Sequence, residues 1–268
     1  MRFEVAGASV YAYTGTRAFA ADRPTVVFVH GAANDHGVFA LQSRYFAWHG
    51  MNALAVDLPG HGRSAGAPLP SVEALADWLR DVLDALHVQQ ASLVGHSLGA
   101  LVTLECAARH PGRVARLALL GPSAPMPVSD DLLDAAARND HVACEMINGW
   151  SFSAGSQLGG NRVPGMWMLG TAMRLLERAR NDVLSVDLIA CNRYADGLAA
   201  AARVRCPVLV VIGARDIMAP PRNAKALIAA LPGAQVVTLP ETGHSLMAER
   251  PDEVLDALRQ FLRTDPAT

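Results

Sequence analysis

The feature that most restricts the fold is a regular alternation, along most of the 268 residues, of short runs rich in β-branched side chains with longer stretches of helical period. Such alternation predicts a mostly parallel sheet covered by helices. Phe3 to Val5 and Ser9 to Tyr13 read as an opening hairpin, followed by runs at Thr25 to His30, Asn52 to Asp57, Ala91 to Gly95, Arg116 to Gly121, Pro207 to Gly213 and Gln235 to Leu239. Most of the later runs are apolar on both faces, as strands are when helices cover each side. Core helices are expected over Phe39 to His49, Val72 to Leu86, Leu98 to Arg109, Arg222 to Ala230 and Asp252 to Leu262. The last has Pro251 at its entry and Asp252 and Glu253 in its first turn, which suits the free amides and positive end of a helix N-terminus. The alternation stops after Gly121 and resumes only at Cys206. Between them lie Pro122, Pro125 and Pro127 and helical patches near Asp130 to Met146, Met166 to Arg180 and Asp182 to Asp196. Residues 123–205 are therefore expected to form a helical cap over the carboxyl ends of the strands, where open α/β sheets place their ligands, inserted into a core made of residues 1–122 and 206–268.

Composition narrows the function classes. Apolar residues make up 51% and charged residues 18%, against roughly 25% charged in ordinary chains, so disorder and low complexity are excluded. With 23 basic and 25 acidic residues there is no electrostatic reason to expect nucleic acid or an acidic membrane as partner. Cys106, Cys144, Cys191 and Cys206 have neither metal-site nor disulfide spacing and read as buried free thiols. The N-terminus does not read as a signal peptide, and the longest apolar stretch, Ala91 to Ala108, is too interrupted to span a membrane, so a cytoplasmic protein is expected. The charge deficit is concentrated: from His141 to Met173 only Glu145 and Arg162 are charged.

The strongest chemical signal is Gly95-His96-Ser97-Leu98-Gly99, which follows a strand run and opens a helical one. A serine in a sharp strand-to-helix turn needs glycines on both sides to avoid collision, and the turn holds its hydroxyl clear at a helix N-terminus that favours an oxyanion. His96 within it reads as a packing residue. A second strand ends in His30-Gly31-Ala32-Ala33-Asn34-Asp35, a small-residue loop able to present a backbone N–H. The amide of Ala32, with Ala33 as the alternative, is expected to form a two-donor oxyanion hole with the amide of Leu98. His30 reads as a tie for that loop, and Asp35 and His36 as ordinary loop residues. Asp57-Leu58-Pro59-Gly60-His61-Gly62-Arg63-Ser64 reads as a scaffold turn. A serine nucleophile needs a base held by an acid. His244 follows the last strand in a Gly-His loop, and Asp216 follows the strand before it, so both belong at the sheet edge that carries Ser97. Asp187 and Asp196 are the competing acids but fall in the cap, and Gly121-Pro122-Ser123 offers none.

In that order, HGAAND, DLPGHGRS, GHSLG, GARD and TGH resemble the α/β-hydrolase superfamily, and the match spans nearly the whole chain apart from the cap. The resemblance implies an α/β fold with a mostly parallel sheet of about eight strands flanked by helices, an inserted cap, no cofactor and no metal. It also implies a carboxylesterase, lipase or related acyl hydrolase. The superfamily's epoxide hydrolases and haloalkane dehalogenases carry Asp where this chain has Ser97. Its carbon–carbon bond hydrolases usually have a Gly-Pro-rich loop where this chain has Ala32-Ala33-Asn34.

The expected reaction is cleavage of a small-molecule ester through an acyl-enzyme, with Ser97 as nucleophile, His244 as base and Asp216 fixing the imidazole. A thioesterase, lactonase, perhydrolase or carbon–carbon bond hydrolase with the same three residues is the alternative, and a slow-turnover ligand sensor is a further rival. In the cap, Met146, Ile147, Trp150, Phe152, Met166, Trp167, Met168 and Met173 supply apolar surface. Met146, Trp150, Trp167 and Met168 are the expected substrate contacts. Arg174, Arg178 and Arg180 read as a solvated helix face, or as contacts for a carrier phosphate if the substrate is a thioester.

Overall fold

The computed structural model describes residues 1–160 and 165–262; Arg162 and the last six residues assigned to the core lie outside the described residues. Eight strands form one sheet: β1 (Arg2–Val5), β2 (Ala8–Tyr13), β3 (Thr25–Val29), β4 (Asn52–Val56), β5 (Ala91–His96), β6 (Val114–Leu120), β7 (Val208–Gly213) and β8 (Gln235–Leu239). Their spatial order is β1-β2-β4-β3-β5-β6-β7-β8. β1 and β2 form the antiparallel hairpin, β2 joins β4 antiparallel, and the pairs from β4 through β8 are parallel.

The helices of the core are α1 (Ala40–Trp48), α2 (Val72–Ala85) and α3 (Leu98–Arg109). Between β6 and β7 come α4 (Asp130–Ala137), α5 (His141–Ser151), α6 (Ala154–Gln157), α7 (Met168–Glu177), α8 (Val183–Arg193) and α9 (Gly197–Ala201). The chain closes with α10 (Pro221–Ala229), α11 (Leu246–Glu249) and α12 (Pro251–Leu262). Local chemistry sets several starts: the Ser71 hydroxyl accepts from the Ala74 amide at the head of α2, with Glu73 in the first turn.

The period of two along each strand divides the core. Val27, Val29, Leu93, Leu117, Leu119, Val208 and Val210 face the layer of α2, α3 and α10, whereas Val26, Phe28, Val94, Ala118, Leu120, Leu209 and Val211 face α1 and α12. Every residue of β3, β4, β5 and β7 is buried, as the unbroken apolar runs require. β8 differs, with Gln235, Val236 and Thr238 exposed, because it is an edge strand paired only to β7.

The inserted region is more broken than its pattern suggests. The patch expected over Asp130 to Met146 divides at Asn139, which adopts φ 51°, and Asp140 then caps α5 by accepting from the Val142 amide. α5 consequently runs past Met146 to Ser151. A third apolar cluster, including Leu132, Ala143, Ile147, Leu176 and Leu188, packs these helices together and onto Ala33 of the loop after β3. The four cysteines are free; Cys106 and Cys191 are buried and Cys144 and Cys206 half-buried, and burial pushes the Cys106 thiol up to about 12. Among the described residues no helix is long and apolar enough to cross a membrane.

β5 and α3 cross at van der Waals distance. A Cβ on Gly99 would collide with the Val29 carbonyl, and one on Gly95 with the Gly99 carbonyl. Gly99→Ala is therefore expected to cost about 1–3 kcal/mol or more, the range of overpacked cores, in urea unfolding. Gly112→Ala, which meets nothing within 4 Å, is expected to stay within about 0.5 kcal/mol.

Candidate active site

Five connections meet at the carboxyl edge of the parallel strands. Ser97 joins β5 to α3 with φ 55° and ψ −119°, a strained conformation for a residue with a side chain. Its own amide donates to the Leu120 carbonyl (3.0 Å), and its carbonyl accepts from Ala100, which locks the turn. The ring of His244, in the loop after β8, donates from Nδ1 to Asp216 Oδ2 at 2.7 Å. The other oxygen of Asp216 accepts from the amides of Met218 (2.9 Å) and Ala219 (2.8 Å). Burial works against ionisation of Asp216, but the neighbouring His244 charge and these hydrogen bonds outweigh it and hold the carboxyl below its ordinary value.

Ser97 and His244 line one cavity of about 350 Å3 between the strand ends and the inserted helices. No hydrogen bond joins the Ser97 hydroxyl to the imidazole in this structure, a link that commonly tightens only when substrate is present. Gly121, at the end of β6, lies against the imidazole: a Cβ there would be 3.3 Å from His244 Nδ1. At φ 57° a side chain there would also strain the backbone, so Gly121 suits this close approach to the imidazole. Of the competing acids, Asp196 is exposed, and Asp187 is buried but engaged elsewhere.

The loop after β3 has a defined register. Asn34 N–H donates to Gly31 C=O at 3.2 Å, Ala33 adopts φ 52°, and the Ala33 amide donates to Asp187 Oδ2 at 2.8 Å. Among the described residues neither the Ala32 nor the Leu98 amide donates to another protein group. Ala32 lines the cavity beside Ser97. His30 ties this loop down, donating from Nδ1 to Gly31 C=O (2.9 Å) and accepting at Nε2 from Leu58 N–H (3.1 Å). His96 faces the site more closely than a packing role suggests. It lines the cavity, and its Nε2 donates to the His244 carbonyl at 2.9 Å with the two rings 4.8 Å apart.

Pattern alone missed the buried carboxylate of Glu249 and weighed that of Asp187 only as a competitor to Asp216. Glu249 of α11 accepts from the amide of Gly243 (2.8 Å), the amide and hydroxyl of Ser153 (3.1 and 2.5 Å) and the hydroxyl of Ser156 (2.7 Å). It thereby fastens the start of α6 to the loop that carries His244. Asp187 of α8 accepts from His61 Nε2 at 2.8 Å as well as from Ala33. The other ring nitrogen of His61 faces the Pro59 carbonyl at 2.9 Å. Acceptor oxygens at both ends favour the doubly protonated ring; burial opposes that charge, but Asp187 outweighs it and raises the His61 pKa.

Asp57 accepts from the amides of His36 and Arg63 and from His36 Nδ1, so the DLPGHGRS loop is built around it. Asp35, His36 and Asp57 lie close enough to share a metal ion. Their facing atoms are already engaged, Asp35 with the Gly37 amide and Arg178, and Asp57 with the donors above.

Of the four apolar residues expected against substrate, only Trp150 lines the cavity. Met146 lies one residue, about 100° of helix, before Ile147, which does line it with Ser151 one turn later. Met168 is buried outside the cavity, and Trp167 is 72% exposed with its ring lying over Gly170. In their place Met126, Leu132, Ile147, Leu176, Leu188 and Met218 line it. The three arginines are occupied: Arg174 pairs with Glu177, Arg178 with Asp35, and Arg180 with the carbonyls of Ser64 and Gly66.

The model of the Alpha/beta hydrolase family matches residues 26–257. The chain belongs to that family. Its relatives include a pimeloyl-[acyl-carrier protein] methyl ester esterase of Chromobacterium violaceum, 30% identical over 250 residues that cover 90% of this chain and 95% of that protein. Among solved structures, an enol-lactonase from Burkholderia xenovorans superposes with a TM-score of 0.86 at 24% identity, covering 98% of this chain and 99% of that one. A thermophilic esterase from Thermogutta terrifontis gives 0.83 at 21%, covering 98% and 97%. At these identities the two structures establish the fold. Together the family and its hydrolase relatives make this α/β-hydrolase a hydrolase.

The histidines of the site give a titration prediction. Burial depresses His30 from 6.5 to about 4 and, with the neighbouring His244 charge, His96 from 6.5 to about 3. Both rings should stay neutral from pH 8 to 5 in long-range proton–nitrogen spectra, His30 as the Nδ1–H tautomer and His96 as Nε2–H. Since both values fall below the unfolded value of about 6.5, the stability associated with these neutral rings is complete above that pH. It is lost as pH falls toward the folded values.

Proposed function

We propose that the protein is a serine hydrolase of carboxylic esters with small to medium apolar groups. The observation that carries this reading is the 2.7 Å bond between Asp216 and His244, whose ring shares a largely apolar cavity with the hydroxyl of Ser97. Ser97 Oγ attacks the ester carbonyl while His244 Nε2 takes its proton, and Asp216, held by two amides, keeps the imidazole in the tautomer that leaves Nε2 free. The amides of Ala32 and Leu98 receive the negative oxygen; Ala33 is disfavoured for this because its amide is engaged by Asp187. His244 then protonates the leaving alcohol, and water repeats the cycle to release the acid.

Residues 123–205 act in this reading as a cap over a core of residues 1–122 and 206–268, supplying the apolar wall through α4, α5, α7 and α8. The relative from C. violaceum is named for ester cleavage, which supports the ester over other acyl bonds. Arg174, Arg178 and Arg180 each make their contacts within the protein at residues away from the cavity that holds Ser97.

Ser97→Ala is expected to abolish turnover of p-nitrophenyl esters and labelling by a fluorophosphonate, read by intact mass. Asp216→Asn is expected to lower kcat by about 10²–10⁴ at neutral pH through loss of the working tautomer. Wild-type rates in Ser97→Ala refute the mechanism, and an acyl-enzyme that forms without multiple turnover identifies a sensor instead of an enzyme.

A further inference from the structure

Helix α8 presents two neighbouring faces to two different things. Leu188 and Cys191 line the cavity that holds Ser97, and Asp187 turns away from it toward the loop after β3. Asp187 is 1% exposed, and a single oxygen, Oδ2, accepts both the Ala33 amide and His61 Nε2, each at 2.8 Å. A buried carboxylate is costly unless it is paired and hydrogen-bonded. Here the pair is His61, 3% exposed and anchored at its other nitrogen by the Pro59 carbonyl. The bond to Ala33 acts on a residue at φ 52°, a left-handed conformation that is unfavourable for alanine. The Ala33 amide lies in the peptide plane next to the one that carries the Ala32 N–H, and with Asn34 N–H bonded to Gly31 C=O the Asp187 bond closes a short, tethered turn around Ala32.

Resting on the esterase reading above, we infer that Asp187 is a positioning residue for catalysis: by accepting the Ala33 amide it holds the loop so that the Ala32 amide faces the oxyanion. His61 holds Asp187 in turn. An oxyanion hole accelerates a reaction only if its donors are already aimed where charge develops, because reorienting a backbone dipole during the reaction consumes the gain. The inserted helix that helps to shape the substrate pocket therefore also completes the catalytic apparatus of the core. The acid that pattern alone ranks as a poor competitor to Asp216 acts on the other side of the reacting carbonyl.

The test uses the full-length protein. Asp187→Ala is expected to lower kcat on p-nitrophenyl butyrate about tenfold or more with KM within about threefold. It should weaken a trifluoromethyl ketone, whose hemiketal oxygen needs the same two amides, by a similar factor. Asp187→Asn, which retains an acceptor oxygen for Ala33, should recover most of both losses. If the unpaired His61 unfolds Asp187→Ala, the double variant His61→Phe with Asp187→Leu replaces the buried pair by apolar bulk, a change that cores tolerate. That variant still leaves Ala33 without its acceptor and should show the same two losses while melting as a folded protein. A folded variant of either kind with wild-type kcat and wild-type inhibitor affinity overturns the inference, as does a loss confined to KM. Neither result touches the ester reading, which stands or falls with Ser97→Ala.

Discussion

The strained backbone at Ser97 is the constraint on which the rest of the site depends. A residue with a side chain at φ 55° reverts to a relaxed conformation unless its surroundings forbid it. Here the surroundings are covalently and sterically fixed: Gly95 and Gly99 let strand and helix cross at contact distance, and the Ser97 amide is tied to the neighbouring strand β6. α3, with every residue but its last buried, cannot shift to relieve the turn. The core thus stores the strain, and two consequences follow at once: the hydroxyl stands clear of the backbone, and the first amide of α3 is left without an acceptor.

The inserted helices are bound to this core by carboxylates as well as by apolar packing. Glu249 gathers donors from Ser153, Ser156 and Gly243, so the loop bearing His244 and the start of α6 share one anchor. Asp187 does the equivalent for the loop bearing Ala32. The Asp187 bond crosses from insertion to core one residue from Ala32, and Glu249, itself of the core, holds Gly243 beside His244 while it grips Ser153 and Ser156 of the insertion. Apolar contacts alone would let these helices slide, since dispersion and burial have little directional preference. Buried hydrogen-bonded carboxylates do not permit sliding, because any displaced donor or acceptor is left unpaired away from water.

How far the sequence reveals this arrangement depends on the range of the interactions. The sheet, its order of strands along the chain and the helices beneath it are legible because burial on two faces writes unbroken apolar runs. The turn at Ser97 is legible because close approach demands glycine at two fixed offsets. Asp216 and His244 are legible as residues just past strand ends, where topology brings separate loops together. Asp187 is named by the sequence only as a misplaced acid, since its partner Ala33 lies 154 residues away and no periodicity marks the contact. The left-handed Ala33 is similarly invisible, because alanine carries no signal for that conformation. Trp150 meets the cavity as expected, whereas Met146 fails for a geometric reason: composition marks an apolar segment, but Met146 and Ile147 point about 100° apart on α5, and it is Ile147 that lines the cavity.

The charge distribution around Ser97 ties these points together. His96 in the cavity wall and His30 behind the loop after β3 are held neutral by burial, and His61 is committed to Asp187. The arginines of α7 and the turn that follows it are engaged away from the cavity. No arginine or lysine among the described residues lines the cavity, so in the proposed mechanism the oxyanion is met by the backbone dipoles at Ala32 and Leu98, beside the His244 ring that receives the proton. Dipoles act strongly in a weakly polar cavity but only along their own direction, whereas a mobile cation can follow the charge. A site of this kind gains most from rigid loops. The density of buried hydrogen bonds behind Ala33, and of steric contacts behind Ser97, is what such a requirement produces.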